Sequence, residues 1–232
     1  MLIKGLLATE MSGSIAGITA SHNAGGQYFR ARAVPVNPGS TRQDTVRGAL
    51  SALTIRWNAS LTQAQRDAWG VYAKNVSVKD RLGATRQRSG INWYCACNSL
   101  RAIAGMLLPT PYIDDAPTVF TGALLTPPSI VSATAATDVL SISFENTNTW
   151  ASAVGGALLV FAGIPQNAGV SSYQGPYRYS GKIPGAVVPP TSPLPITSAY
   201  PFGVGNRVFV RFRSINLDGR ISPSFQSTAL GA

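Results

Sequence analysis

The chain has 232 residues, of which 45% are hydrophobic and only 12% charged, and its formal net charge is +10. That length accommodates one or two domains with real cores, while the charged share is about half the roughly 25% of an ordinary globular chain. A single His and two Cys leave little for histidine- or thiol-based catalysis, and no run of about 18 apolar residues is present to form a membrane span.

The charge is unevenly placed. Residues 1–108 carry 13 Lys and Arg against 4 Asp and Glu, whereas residues 109–232 carry 6 against 5. Most of the basic residues are Arg, whose planar fork suits carboxylate and phosphate and tolerates interface burial. An anionic partner for the N-terminal half is therefore one expectation, and a solvated basic face is the plainer one.

In chain order, Met1–Ala8 has one Lys and too short an apolar stretch for a signal peptide. Ile15–Ser21 and Tyr28–Val34 flank His22-Asn23-Ala24-Gly25-Gly26 and predict a β-hairpin, the Asn and Gly supplying the turn. Alternation puts Tyr28, Arg30 and Arg32 on one face of the second strand and Phe29 on the other. Three helices follow. The first starts at Ser40, with Gln43 completing a capping box, and repeats Val46, Leu50, Leu53 and Trp57 at helical spacing. The second starts at Ser60, paired with Gln63. The third starts near Ser89, carries Ile91, Tyr94, Cys95 and Ala102 on one side, and ends at Gly105. Residues 79–88, which include Arg81, Arg86 and Arg88, read as an exposed basic loop.

Prolines at 109, 111, 117, 127 and 128 mark residues 109–128 as a linker. Beyond it the pattern is all-β. Candidate strands are Ile130–Thr134, Val139–Phe144, Ala157–Ala162, Tyr173–Ser180, Arg207–Ile215 and Ser222–Thr228, with a Pro-rich extended loop over residues 184–201. The expected class is α+β: an N-terminal β-hairpin with three helices over residues 1–108, then a C-terminal all-β sandwich over residues 129–232.

Chemistry-bearing motifs are few. His22 lies in the expected turn, and any Ser/His/Asp or Cys/His site would have to use it. Cys95 and Cys97 are two apart on a helix, so they face different ways and suit neither a disulfide nor a shared metal. Two glutamates and seven aspartates show no spacing of an acid/base pair, and Asp114-Asp115 reads as a solvated turn rather than a cation site. The Gly-Gly pairs lack the Lys and Ser/Thr of a phosphate loop. No catalytic residue, cofactor site or metal site is therefore expected. The residues that stand out are Tyr28, Phe29, Arg30, Arg32, Arg81, Arg86 and Arg88, whose types fit contacts with phosphates or with acidic side chains of a neighbouring protein.

Gly13-Ser14-Ile15-Ala16-Gly17, Gly26-Gln27-Tyr28-Phe29-Arg30-Ala31-Arg32, Pro38-Gly39-Ser40-Thr41-Arg42-Gln43, Leu61-Thr62-Gln63-Ala64-Gln65-Arg66-Asp67-Ala68-Trp69 and Ser89-Gly90-Ile91-Asn92-Trp93-Tyr94 with Asn98 occur in this order. The ordered set, over residues 12–105, resembles small structural proteins of tailed bacteriophages. The stretch from Arg207 to Asn216, with Asp218-Gly219-Arg220 and Ser222, is similar to the last two strands of a fibronectin type III or Ig-like module. Phe144 stands where the module's early core Trp is usual, and the usual penultimate-strand Tyr has no clear counterpart. The resemblance implies a virion component, assembled in the host cytoplasm, that contacts other capsid or tail proteins and copies of itself. It would decorate or cement the capsid, or serve at the head–tail junction or in the tail, with no membrane partner. A basic DNA-binding accessory protein is the second reading, resting on the N-terminal charge.

Overall fold

The computed structural model describes residues 12–23, 26–33, 36–79, 84–106, 112–120 and 126–232. Two compact units divide the chain, Met1–Thr41 and Arg42–Ala232. Together they form an α+β protein with a β-rich C-terminal part.

The first unit is a three-stranded antiparallel sheet rather than a two-stranded hairpin. Strands β1 (Gly13–Ile15), β2 (Ile18–Asn23) and β3 (Gly26–Ala31) lie in that order. Ala16 and Gly17 both have positive φ, 43° and 86°, and make the tight turn that splits the single expected strand. Two such residues match the right-handed twist of the flanking strands. The loop at residues 24–25 lies outside the described residues, but Asn23 pairs with Gly26 across it. His22 is a strand residue, opposite Gln27.

The second unit begins with α1 (Thr41–Ala59), followed by α2 (Gln63–Asn75). The start of α2 is displaced by two residues from its expected place. Thr62, not Ser60, is the N-cap, forming a reciprocal capping box with Gln65. Ser60 and Leu61 are unavailable because their N–H groups close the last turn of α1 onto the Arg56 carbonyl. Between α2 and α3 (Gly90–Ile103) the chain does not loop freely. Strands β4 (Ser77–Lys79) and β5 (Thr85–Gln87) form an antiparallel ribbon, with Val78 opposite Arg86. Helix α3 starts on the Ser89 cap as expected and ends at Gly105, whose φ is 61°. Its buried stripe is Trp93, Tyr94, Cys97, Asn98 and Arg101, rotated from the face that Ile91, Cys95 and Ala102 define.

The helical core is aromatic. Trp69 meets Tyr72 and Tyr94 edge to face, and Tyr72 meets Trp93 likewise, with ring centroids 5.6–5.7 Å apart. Such pairs add about 0.5–1.5 kcal/mol each beyond area burial. Residues 112–116 of the Pro-rich stretch lie on this core. Arg56 donates two hydrogen bonds to the Asp114 carboxylate, at 2.8 and 2.6 Å, and the Trp69 indole donates to the Asp114 carbonyl at 2.8 Å. Buried Asn98 exchanges hydrogen bonds with both backbone groups of Ile113 and caps its third side-chain valence on the Tyr94 carbonyl.

The C-terminal strands are β6 (Ser129–Thr134), β7 (Val139–Ser143), β8 (Ala157–Gly163), β9 (Tyr177–Pro184), β10 (Leu194–Thr197), β11 (Arg207–Ile215) and β12 (Phe225–Leu230). They form two antiparallel sheets, β10-β7-β6 and β12-β11-β8-β9, which pack face to face as a sandwich. Strand β10 escapes sequence reading because Pro195 sits within it. It is an edge strand, where a missing N–H costs nothing. Leu140, Ile142, Leu158, Val160, Val210 and Phe212 fill the space between the sheets. A core Trp is present after all: Trp150, outside the strands, packs against Phe144 at 5.4 Å. Gly156 and Gly185 flank it, and a Cβ on either would come within 2.2 Å of the Trp150 carbonyl.

Helix α3 and the sandwich share a second apolar layer. Ala104 and Met106 pack with Ala157, Leu159 and Ile215. Arg101 donates to the Gly155 carbonyl at 2.9 Å, and Lys182 caps the helix end by donating to the Ala104 and Gly105 carbonyls.

Replacing Asp114 by Ala leaves Arg56 and Tyr94 facing no acceptor there, and urea unfolding is expected to show a loss of about 1–2 kcal/mol for this part-exposed pair. Arg56→Ala is expected to cost at least as much, because Asp114 is the less exposed partner, at 27% against 37%, and is left as a part-buried carboxylate without its two guanidinium donors.

Candidate functional site

Alternation in the three-stranded sheet separates two faces. Ile15 pairs with Ile18, Ile18 with Ala31, and Ala20 with Phe29, so these five share one face. Ser14, Thr19, Ser21, Tyr28 and Arg30 share the other. The apolar face carries a shallow hollow of about 550 Å³. Ile15 and Ile18 remain 75% and 54% exposed. Strands β1 and β3 are the two edges of this sheet.

The sequence-selected residues distribute over both units. In the first, Tyr28 and Phe29 are half-buried on opposite faces of β3, while Arg30 and Arg32 are exposed. Arg32 lies past the end of β3, and its N–H donates to the Gly17 carbonyl at 2.7 Å, holding the chain against the tight turn. In the second, Arg86 projects from β5 and Arg88 follows it, both exposed. The Arg88 guanidinium lies over the Trp93 ring, 5.4 Å from its centroid. Arg81 lies outside the described residues. The alternation that identified Arg30 also defines the apolar face behind it, yet Ile15 and Ile18 escaped notice because the turn at Ala16-Gly17 lacks the usual Asn-Gly signal.

Several of the remaining chemistry-bearing side chains have structural partners. Asp114 is taken by Arg56, while Asp115 stays exposed and accepts from Gln65 at 2.9 Å, so only the second of the pair is solvated. Among the described residues, no three His, Cys, Asp or Glu gather as a metal would require. His22 stands exposed on β2. Burial pushes the Cys97 thiol up to about 12, with the Asp218 charge adding to the shift, and burial raises Cys95 as well. A thiol held neutral is a poor nucleophile. Tyr72 is raised to about 12, first by burial and then by Cys97 and Asp218, and Tyr94 is raised by burial and by Asp114. The first unit thus presents an exposed apolar sheet face, and the second presents exposed Arg86 and a ring-stacked Arg88.

No family model, curated protein or solved structure matches this chain.

In native protein at pH 8, Cys97 is expected to resist iodoacetamide until unfolding, read by mass spectrometry of the labelled peptide. Labelling of Cys97 as fast as in urea would contradict its burial. Raised phenols also set an alkaline limit. The folded state holds the Tyr72 proton more tightly than the unfolded chain does, so this contribution is intact below the unfolded value of about 10 and is lost as pH rises toward 12. Stability measured by denaturant midpoint should fall over that window, and Tyr72→Phe should flatten the fall.

Proposed function

We propose that this chain is a structural component of a tailed bacteriophage particle, acting through non-covalent contacts with copies of itself and with other virion proteins. The observation that carries the reading is the two-faced sheet of residues 13–31, whose apolar face exposes Ile15 and Ile18 and whose two outer strands are sheet edges. A soluble sheet normally covers one face and guards its edges with Lys, Pro or inward charge. This one carries Arg30 on its polar face and no Lys in its described strands. The ordered bacteriophage-like motifs over residues 12–105 support the same reading, as does the shortage of surface charge. Its mechanism is burial of apolar area with Arg-centred polar contacts at the rim, and no bond-making step. The position within the particle, as capsid decoration or as a head–tail or tail accessory, follows from which neighbour covers the sheet.

The second reading, DNA binding, draws on Arg30, Arg32, Arg86 and Arg88. Phosphate binding of that kind weakens steeply with salt, with a slope of about −0.9 per phosphate neutralised.

The full chain is expected to sediment as an oligomer, or to join purified particles, and the Ile15→Lys/Ile18→Lys variant to do neither while keeping the parent's thermal unfolding. A parent chain that stays monomeric at high concentration and does not join particles, or a variant that still associates, overturns the reading. In a separate measurement, duplex DNA affinity should be weak at physiological salt. Submicromolar binding there, lost in Arg86→Ala/Arg88→Ala, would favour the DNA reading.

A further inference from the structure

Within the second unit, a cleft of about 690 Å³ opens between α3, the β4–β5 ribbon and the end of the sandwich near β11. Its size falls within the ordinary range of ligand sites, about 300–1,000 Å³. Val76, Val78, Leu100, Phe120 and Ile221 make much of its wall apolar. Two guanidiniums enter it. Arg88 comes from the ribbon end, above the Trp93 ring. Arg213 comes from β11, on the strand face opposite the sandwich core residues Val210 and Phe212.

Neither arginine has a carboxylate partner among the described residues. Among the described acids of this unit, Asp218 pairs with Arg220 at 2.6 Å and Asp114 with Arg56. Burial lowers the Arg213 pKa from its ordinary value, and the like charges of Arg211 and Arg88 lower it further. A third donor lies within the cleft wall. Trp93 is 93% buried, lines the cleft, and has no acceptor for its indole N–H. Unpaired buried donors are rare in native proteins and point to a missing acceptor. Two guanidiniums without a carboxylate among the described residues, set beside a largely apolar wall, call for an anion that is itself partly apolar.

We propose that this cleft receives a carboxylate-bearing, partly apolar segment of a partner protein, with the carboxylate between Arg88 and Arg213 and the apolar part against Trp93 and Leu100. The Arg fork matches a carboxylate with two parallel hydrogen bonds. A nucleic-acid strand fits less well. It would need a basic track along several phosphates, whereas this cleft offers two cations backed by aliphatic surface. The cleft belongs to the second unit and the sheet to the first, so different variants test the two and a result on one does not decide the other.

The test uses the full chain and a fluorescein-labelled, end-capped Asp-Leu-Phe-Asp peptide, with the isosteric Asn-Leu-Phe-Asn peptide and a short oligothymidylate as comparisons. Fluorescence anisotropy at low salt is expected to show saturable binding of the acidic peptide and none of its amide isostere. Arg213→Met and Arg88→Ala are each expected to weaken it by about tenfold or more, the usual effect of removing one charge-assisted hydrogen-bonding partner. A denaturant melt on each variant checks folding, and Arg213→Lys provides a milder change that keeps the charge and loses the fork. The proposal is overturned if the acidic peptide does not bind, if the isostere binds as well, if folded variants bind like the parent, or if oligothymidylate binds more tightly and displaces the peptide.

Discussion

The Asp114 carboxylate and the buried amide of Asn98 hold the second unit together. Asp114 gathers Arg56 from α1 and Tyr94 from α3, while its backbone carbonyl takes the indole proton of Trp69 from α2. Three helices are thus tied to one point of a segment that the Pro content alone marks as a connector. Asn98 fixes the residue before it by both backbone groups. Buried polar groups satisfied this fully specify one arrangement, because any other would leave donors unpaired. The aromatic cluster supplies the burial, and this hydrogen-bonded point sets its register.

That register decides what α3 can do next. Its first half faces the aromatic core through Trp93, Tyr94 and Cys97, and its end packs through Ala104 on Ala157, Leu159 and Ile215. Strand β8 is consequently covered on both faces, which explains its nearly unbroken apolar run from Ala157 to Ala162. One face meets the opposite sheet through Leu158 and Val160, and the other meets the helix. Antiparallel sheets usually leave one face to water. Here the helical layer takes that place over β8, and where it stops short of Arg213 the cleft opens.

Charge is used sparingly and mostly in pairs or stacks. Arg56 and Arg220 have carboxylates, Lys182 closes a helix end, Arg211 lies 4.2 Å over the Tyr177 ring, and Arg178 lies over Tyr200. Arg213, with no carboxylate or ring partner among the described residues, departs from this economy, as do Ile15 and Ile18 from the rule that large apolar side chains are covered. Departures of both kinds mark the surface that the described residues leave without an internal partner.

The sequence by itself determined the α+β class, the three helices, the Ser89 cap and Gly105 end of α3, and most sandwich strands, because capping, helical periodicity and strand alternation are local properties of neighbouring residues. The alternation of Tyr28, Phe29 and Arg30 was equally local. Tertiary structure decided the rest. The tight turn at Ala16-Gly17 carries no strong local signal, and the start of α2 moved because α1 claimed Ser60 and Leu61. Strand β10 depends on lying at a sheet edge, where Pro195 is harmless. Arg56 and Asp114 are 58 residues apart, and Arg88 and Arg213 come from a ribbon and a sandwich strand. No local pattern encodes such meetings, because the energy that makes them favourable appears only when distant segments have already packed.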